Sequence, residues 1–294
     1  MVKLITIDID GTLLNSYGEV SRENKRAIQK ALDKNIDVVL TSGRMPKGIL
    51  PIANEINSNN YLICGNGAAI YDIQKDKMIY SNYLSKKKVL EIIDLCEKNN
   101  IFYNIYTNNR ILAKELNYNL LYYTYENTKK PREKRTRICL VKDMHSYILK
   151  YEEDDFLKIT ICDKDQTNFK NITKTLKRVK NIDVLDVSHI SKKIIEFESK
   201  IYEITYYYTE ITNKNVNKWT AIERLIKLLK INKNEVLSIG DNINDKEMIE
   251  NAGIGVVTEN GSPLMKDIAD RVVASNNENG VADAINTYIP WLLH

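Results

Sequence analysis

Asp8-Ile9-Asp10-Gly11-Thr12-Leu13-Leu14 decides how this chain reads. It follows residues 2–7, a short apolar run with the look of a strand. The acidic pair therefore falls at a strand's carboxyl end, where open α/β sheets bind ligands. Side chains alternate along a strand, so Asp8 and Asp10 are expected to point the same way. Two carboxylates that close repel each other unless a cation lies between them. A hard divalent ion, best Mg²⁺, would relieve the repulsion and accept oxygen ligands. Gly11 lets the chain turn at once. A bare D-x-D also arises where a strand simply ends in solvent, so the pair needs company.

Three further segments supply it. Gly240-Asp241-Asn242-Ile243-Asn244-Asp245 follows the apolar run 236–239 and adds two carboxylates and two amides at another strand end. On its own it would pass for an Asx-rich turn capping the next helix. Thr41-Ser42-Gly43-Arg44 follows the apolar run 38–40. A hydroxyl and free backbone N–H groups, those of Ser42 and Gly43 among them, make a phosphate cradle ahead of a helix. Lys218 opens a helical pattern with Ile222, Leu225, Ile226 and Leu229 on one face. A lone lysine is ordinarily a solvated surface charge.

Working outward, two segments alternate strand and helix. The first, 1–82, holds strands at 2–7, 38–40 and 61–64 and a helix that Ser21 can cap, with Ala27, Ile28, Ala31 and Leu32 inward. The second resumes near Thr209 and carries a helix at 218–229, a strand at 236–239, a helix at 246–252, strands at 254–257 and 271–274, and a helix from Val281. Such alternation implies an α/β fold with a parallel sheet covered on both faces. The middle differs. Val89, Ile92, Ile93 and Cys96 repeat at helical spacing, short strands follow at 102–106, 138–141, 158–162 and 194–197, and a helix is expected at 167–179. This α+β stretch reads as a second domain, giving 1–82, 83–204 and 205–294 as core, insertion and core. The approach 202–208 matches no pattern.

Taken together and in this order, the four segments resemble the motifs of the haloacid dehalogenase superfamily. The chain is similar to its Cof-type phosphatase branch, in which an α/β cap lies between the second and third motifs. Cys64-Gly65-Asn66-Gly67-Ala68, Asn251-Ala252-Gly253-Ile254-Gly255-Val256 and 275–284 extend the likeness over about 170 core residues. The resemblance implies a Rossmann-like core and a Mg²⁺-dependent phosphatase acting on a small phosphorylated metabolite: a sugar phosphate, nucleotide or cofactor phosphate. It implies Asp8 as nucleophile and metal ligand. Asp10 becomes general acid and base, its backbone carbonyl touching the metal. Asp241 is the remaining ligand, and Asp245 supports from the same turn, directly or through water. Ser42, Lys218 and Asn244 would hold phosphoryl oxygens. Ser42 replaces the commoner threonine, Trp219 stands where glycine is usual, and Thr258-Glu259-Asn260-Gly261 replaces a Met-Gly-Asn-Ala-like stretch. A phosphomutase would keep the same aspartates. A binding protein without catalysis would ordinarily lose one of them or the lysine.

The bulk numbers exclude other classes. At 294 residues the chain suits two domains. Hydrophobic residues at 43% and charged residues at 28% fit a soluble globular protein. No run approaches the roughly 18 apolar residues of a membrane span, and the first residues lack a secretory signal, so the cytosol is expected. Net charge is only +4, unlike a nucleic-acid binder. Residues 129–137 net +5 and leave the rest at −1; they read as a solvated loop, with a lure for phosphorylated substrates and, beside Tyr122, Tyr123 and Tyr125, a nucleic-acid patch as the alternatives. Cys64, Cys96, Cys139 and Cys162 lack C-x-x-C spacing and read as reduced, mostly buried thiols. His145, His189 and His294 fall outside every motif, and nothing points to an obligate protein partner.

Overall fold

The computed structural model describes residues 1–132, 135–185, 190–197 and 200–289. Its first segment supplies β1 (Leu4–Asp8), α1 (Arg22–Asp33), β2 (Asp37–Thr41), α2 (Pro46–Glu55), β3 (Tyr61–Cys64), β4 (Ala69–Asp72) and β5 (Lys77–Ser81). The middle segment supplies α3 (Lys86–Lys98), β6 (Phe102–Tyr106), β7 (Ile111–Ala113), α4 (Asn119–Thr128), β8 (Ile138–Leu140), α5 (Met144–Lys150), β9 (Lys158–Asp163), α6 (Gln166–Leu176), β10 (Ile182–Val184), β11 (Ile190–Phe197) and β12 (Lys200–Asn213). The last supplies α7 (Lys218–Leu229), β13 (Val236–Gly240), α8 (Lys246–Asn251), β14 (Ile254–Thr258), α9 (Pro263–Ile268), β15 (Arg271–Val273) and α10 (Gly280–Tyr288). These form two compact units, Met1–Ser81 with Val216–His294, and Asn82–Asn215.

The first unit is built on an eight-stranded sheet in the order β15-β14-β13-β1-β2-β3-β4-β5. β1 lies between β13 and β2, parallel to both, and Leu4, Ile5 and Ile7 are fully buried. A strand apolar on both faces is what a doubly covered parallel sheet needs. Ser21 caps α1 by accepting the Asn24 N–H at 3.1 Å. One core joins Ala221, Ile222, Leu225 and Ile226 of α7 to Leu4, Val39, Ile63, Met248 and Val257. Each such large aliphatic side chain contributes roughly 1.5–3 kcal/mol by leaving water. The register sets Asp8 beside Thr41 and Ile7 beside Ile239. The carboxyl ends of β1, β2 and β13 are thereby brought to one edge.

Beyond β3 the sheet ceases to be parallel. β4 and β5 return antiparallel to their neighbours. Three consecutive left-handed residues, Gly65 (φ 59°), Asn66 (57°) and Gly67 (100°), reverse the chain directly after β3, whereas a parallel crossover needs a dozen residues or more.

The second unit is a seven-stranded sheet along β10-β12-β9-β6-β7-β8, with β11 paired to β12. Ile105, Ile159, Ile161 and Ile211 join Val89, Ile92 and Ile93 of α3, Ile148 of α5 and Phe169 and Ile172 of α6 in an apolar core. The alternate residues Asn104, Tyr106, Lys158, Thr160 and Cys162 are also buried, and α4 meets that face through Asn119, which bonds Asn104 at 3.0 Å. The boundary expected at residue 204 needs correction: this unit runs to Asn215. β12 is one strand of 14 residues whose Tyr207 to Ile211 pair with β9. Thr209 thus belongs to the insertion, and the unrecognised run 202–208 is the first part of that strand.

Candidate active site

Asp8 is the last residue of β1 and is 5% exposed. The chain coils immediately beyond it. Leu13 and Leu14 donate their N–H groups to the Ile9 carbonyl at 3.1 and 3.0 Å, and Gly11 takes φ 88°. Strand alternation therefore stops at Asp8, and Asp10, expected to point the same way, is not among the carboxylates that gather with Asp8. The Asp10 carboxylate is 59% exposed and is bonded by Arg44, whose Nε donates to Oδ2 at 2.8 Å and whose second terminal nitrogen donates to Oδ1 at 2.5 Å.

What Asp8 meets instead is Lys218, the first residue of α7 and fully buried. Its Nζ donates to the Asp8 and Asp245 carboxylates. A reciprocal cap starts the helix: the Asn217 side chain accepts the Thr220 N–H, and the Thr220 hydroxyl accepts the Asn217 N–H. Gly67 lets this helix end come close, because a Cβ there would stand 2.0 Å from the Asn217 carbonyl oxygen. The lysine that looks like a surface charge in sequence is thus driven into the sheet edge by its neighbours.

The turn after β13 completes the cluster. Asp245 is fully buried, and its Oδ2 accepts the N–H groups of Asp241 and Asn242 at 3.0 and 3.1 Å. Asp241 is half-buried and accepts the Thr12 hydroxyl at 2.8 Å. Asp8, Asp241 and Asp245 each offer a carboxylate oxygen, all within 4.8 Å of one another. Burial, then Asp245 and Asp241, push the Asp8 carboxyl well above its ordinary range, with Lys218 opposing. Burial and Asp245 push Asp241 to about 7. Burial works against the Lys218 charge, yet Asp245 and Asp8 outweigh it and raise its pKa.

Ionised together, three carboxylates against one ammonium would carry two negative charges in excess. The donors are all hard oxygen, partly wrapped by backbone N–H groups. A divalent cation such as Mg²⁺ fits both the deficit and the donor type. Asp8, Asp241 and Asp245 are the carboxylates that could hold it.

The remaining expected residues lie around this cluster. Ser42 is 1% exposed at the end of β2, its N–H on the Ile63 carbonyl at 3.0 Å and its hydroxyl accepting the Arg44 N–H at 3.2 Å. Gly43 sits between them, ahead of α2. Asn244 donates to the Asn66 side chain at 3.2 Å. Sequence reasoning gave no role to Asn66 or to the Arg44 side chain. The signal for Asn66 was available, since an asparagine between two glycines marks a left-handed position.

Features outside the motifs fall elsewhere. Lys129 lies over the Tyr125 ring at 4.0 Å and pairs with Glu126, and Arg135 donates to the Lys130 carbonyl at 2.9 Å; Lys134 lies outside the described residues. His145 pairs with Asp94 at the surface at 2.6 Å, and His189 and His294 lie outside the described residues. Cys64, Cys96 and Cys162 are buried and Cys139 half-buried, all as free thiols. Burial pushes Cys96 up to about 12. No described helix is long and apolar enough to cross a membrane.

Comparison with known proteins agrees with this architecture. The family model for haloacid dehalogenase-like hydrolases matches residues 5–285. Phosphatase YwpJ of Bacillus subtilis is 29% identical over 96% of this chain and 98% of its own. Putative phosphatase YxeH of the same organism is 30% identical, over 98% and 99%. A solved haloacid dehalogenase-like hydrolase from B. subtilis superposes with a TM-score of 0.81 at 26% identity, covering 98% of this chain and all of that one. With its strand order, its acidic strand ends and its buried lysine, this chain belongs to the haloacid dehalogenase-like hydrolase family.

Proposed function

We propose that the chain is a Mg²⁺-dependent phosphatase that moves the phosphoryl group of a small phosphorylated metabolite first to Asp8 and then to water. One observation carries the reading: Asp8, Asp241 and Asp245 are crowded around a single buried lysine at the carboxyl edge of the sheet. A carboxylate approaches a phosphate dianion only when negative charge is masked, and Mg²⁺ held by Asp8, Asp241 and the Asp10 backbone carbonyl, with Asp245 supporting from the same turn, would supply that masking. Lys218 ties down one Asp8 oxygen and adds its own positive charge. Asp8 then attacks phosphorus while Asp10 protonates the departing oxygen. Asp10 next takes a proton from the water that attacks the aspartyl-phosphate, releasing inorganic phosphate and restoring Asp8. Ser42, the Gly43 backbone N–H, Lys218 and Asn244 hold the phosphoryl oxygens. YwpJ, a named phosphatase, supports the reaction class. Because these residues engage only the phosphoryl group, we assign the choice of metabolite to the inserted unit, in a cytosolic enzyme.

The test is phosphate release from a panel of sugar phosphates, nucleotides and vitamin phosphates. Turnover should vanish in excess chelator and return with Mg²⁺. Isomerisation of a hexose phosphate without phosphate release would point to a mutase, and full turnover in chelator would remove the mechanism.

A further inference from the structure

The ion pair between Asp10 and Arg44 is the part of the site that the reaction scheme above leaves without a purpose. Arg44 is gripped along its length. Its backbone N–H rests on the Ser42 hydroxyl at 3.2 Å, its carbonyl accepts the Gly65 N–H at 3.0 Å, and one guanidinium nitrogen reaches the Gly48 carbonyl at 3.4 Å. The other two guanidinium nitrogens take both oxygens of Asp10. A two-point grip of this kind sets the plane of a carboxylate as well as its position, which a lysine cannot do. Yet Asp10 is only two residues from Asp8, and its carboxylate is absent from the cluster that Asp8 forms with Asp241 and Asp245.

That separation matters for a proton carrier. A carboxylate beside a divalent cation is drawn into its coordination shell, because hard cations take any oxygen anion within reach. Once ligated it is fixed on the metal and held as the anion, away from the departing oxygen it has to protonate. We propose that Arg44 is a positioning residue that keeps the Asp10 carboxylate out of the metal's shell before substrate binds, so that it is not lost to proton transfer as a metal ligand. The inference rests on the phosphatase reading above.

Calorimetric titration of Mg²⁺ into the substrate-free protein tests it. Arg44→Ala should bind Mg²⁺ more tightly than the wild type, on the order of tenfold, the scale on which groups behind metal ligands act. Arg44→Lys, which keeps the charge but not the fork, should tighten it less. In an Asp10→Asn background, Arg44→Ala should leave affinity unchanged. Equal tightening in both backgrounds would mean that only a positive charge was removed, and would overturn the proposal, as would no tightening at all. Kinetics give a second readout. Arg44→Ala should lose more turnover on phenyl phosphate than on p-nitrophenyl phosphate, whose leaving group needs little proton help. Equal losses on both would assign Arg44 to general architecture and overturn the idea. Absence of Mg²⁺ binding by the wild type would sink the phosphatase reading itself, whereas binding without the predicted tightening sinks this inference alone.

Discussion

Among the described residues each unit buries one lysine against carboxylates, and the two settings are not equivalent. In the inserted unit Lys158 meets Glu210 at 2.5 Å and lies 4.7 Å from the centre of the Tyr106 ring. One cation faces one anion, and the aromatic face covers the rest. In the core unit Lys218 meets Asp8 and Asp245, with Asp241 in the same cluster. One cation faces three carboxyl groups, of which burial and crowding push Asp8 and Asp241 toward the protonated form. The first arrangement is complete as it stands. The second is unstable without another positive charge, and that deficit distinguishes a site from a piece of architecture. Burial alone does not distinguish them, since both lysines are less than 5% exposed.

The contrast makes the largest prediction. Lys218→Met removes the cation that bonds two of the three carboxylates and should cost roughly 3–5 kcal/mol in urea unfolding, the scale for breaking a buried pair from one side. It should also abolish turnover. Replacing Lys158 and Glu210 together by methionines removes both charges of a balanced pair, so stability should stay within about 1 kcal/mol of the wild type or rise. Equal costs for the two changes would erase the distinction.

A smaller effect should appear in pH dependence. Asp241 titrates at about 7 in the folded chain against an ordinary 3.8. A carboxyl whose folded pKa is raised stabilises the fold while protonated. That contribution is present below about pH 4 and is lost as pH rises through about 7. In chelator, the melting temperature of the wild type should therefore fall over this window relative to Asp241→Asn, and Mg²⁺ should flatten the difference. Parallel profiles in chelator would show that Asp241 feels no excess of negative charge.

The same two regions divide what was legible in the sequence. Asp8, Ser42 and Asp241 stand at strand ends because a short apolar run followed by a polar turn is a local signal. The helix that carries Lys218 was equally plain from Ile222, Leu225 and Ile226. Burial of Lys218 was not, because it depends on Gly67 and Asn217 meeting across about 150 residues. The partner of Asp10 was hidden for the same reason: Arg44 reaches it from the next strand's end, and strand alternation predicted a different neighbour. The antiparallel edge β4 and β5 turned on three left-handed residues within Gly65-Asn66-Gly67. In the inserted unit β12 escaped because half of it, 202–208, mixes tyrosines with polar residues and shows no clean alternation, while its pairing with β9 is distant in sequence.

The central claim is that Asp8 carries the phosphoryl group. Borohydride added during turnover with p-nitrophenyl phosphate reduces an acyl phosphate but spares a free carboxylate. Mass spectrometry of the resulting peptides should find homoserine at position 8, only with Mg²⁺ present. Robust phosphate release with an unmodified Asp8, or reduction at another aspartate, would contradict the account.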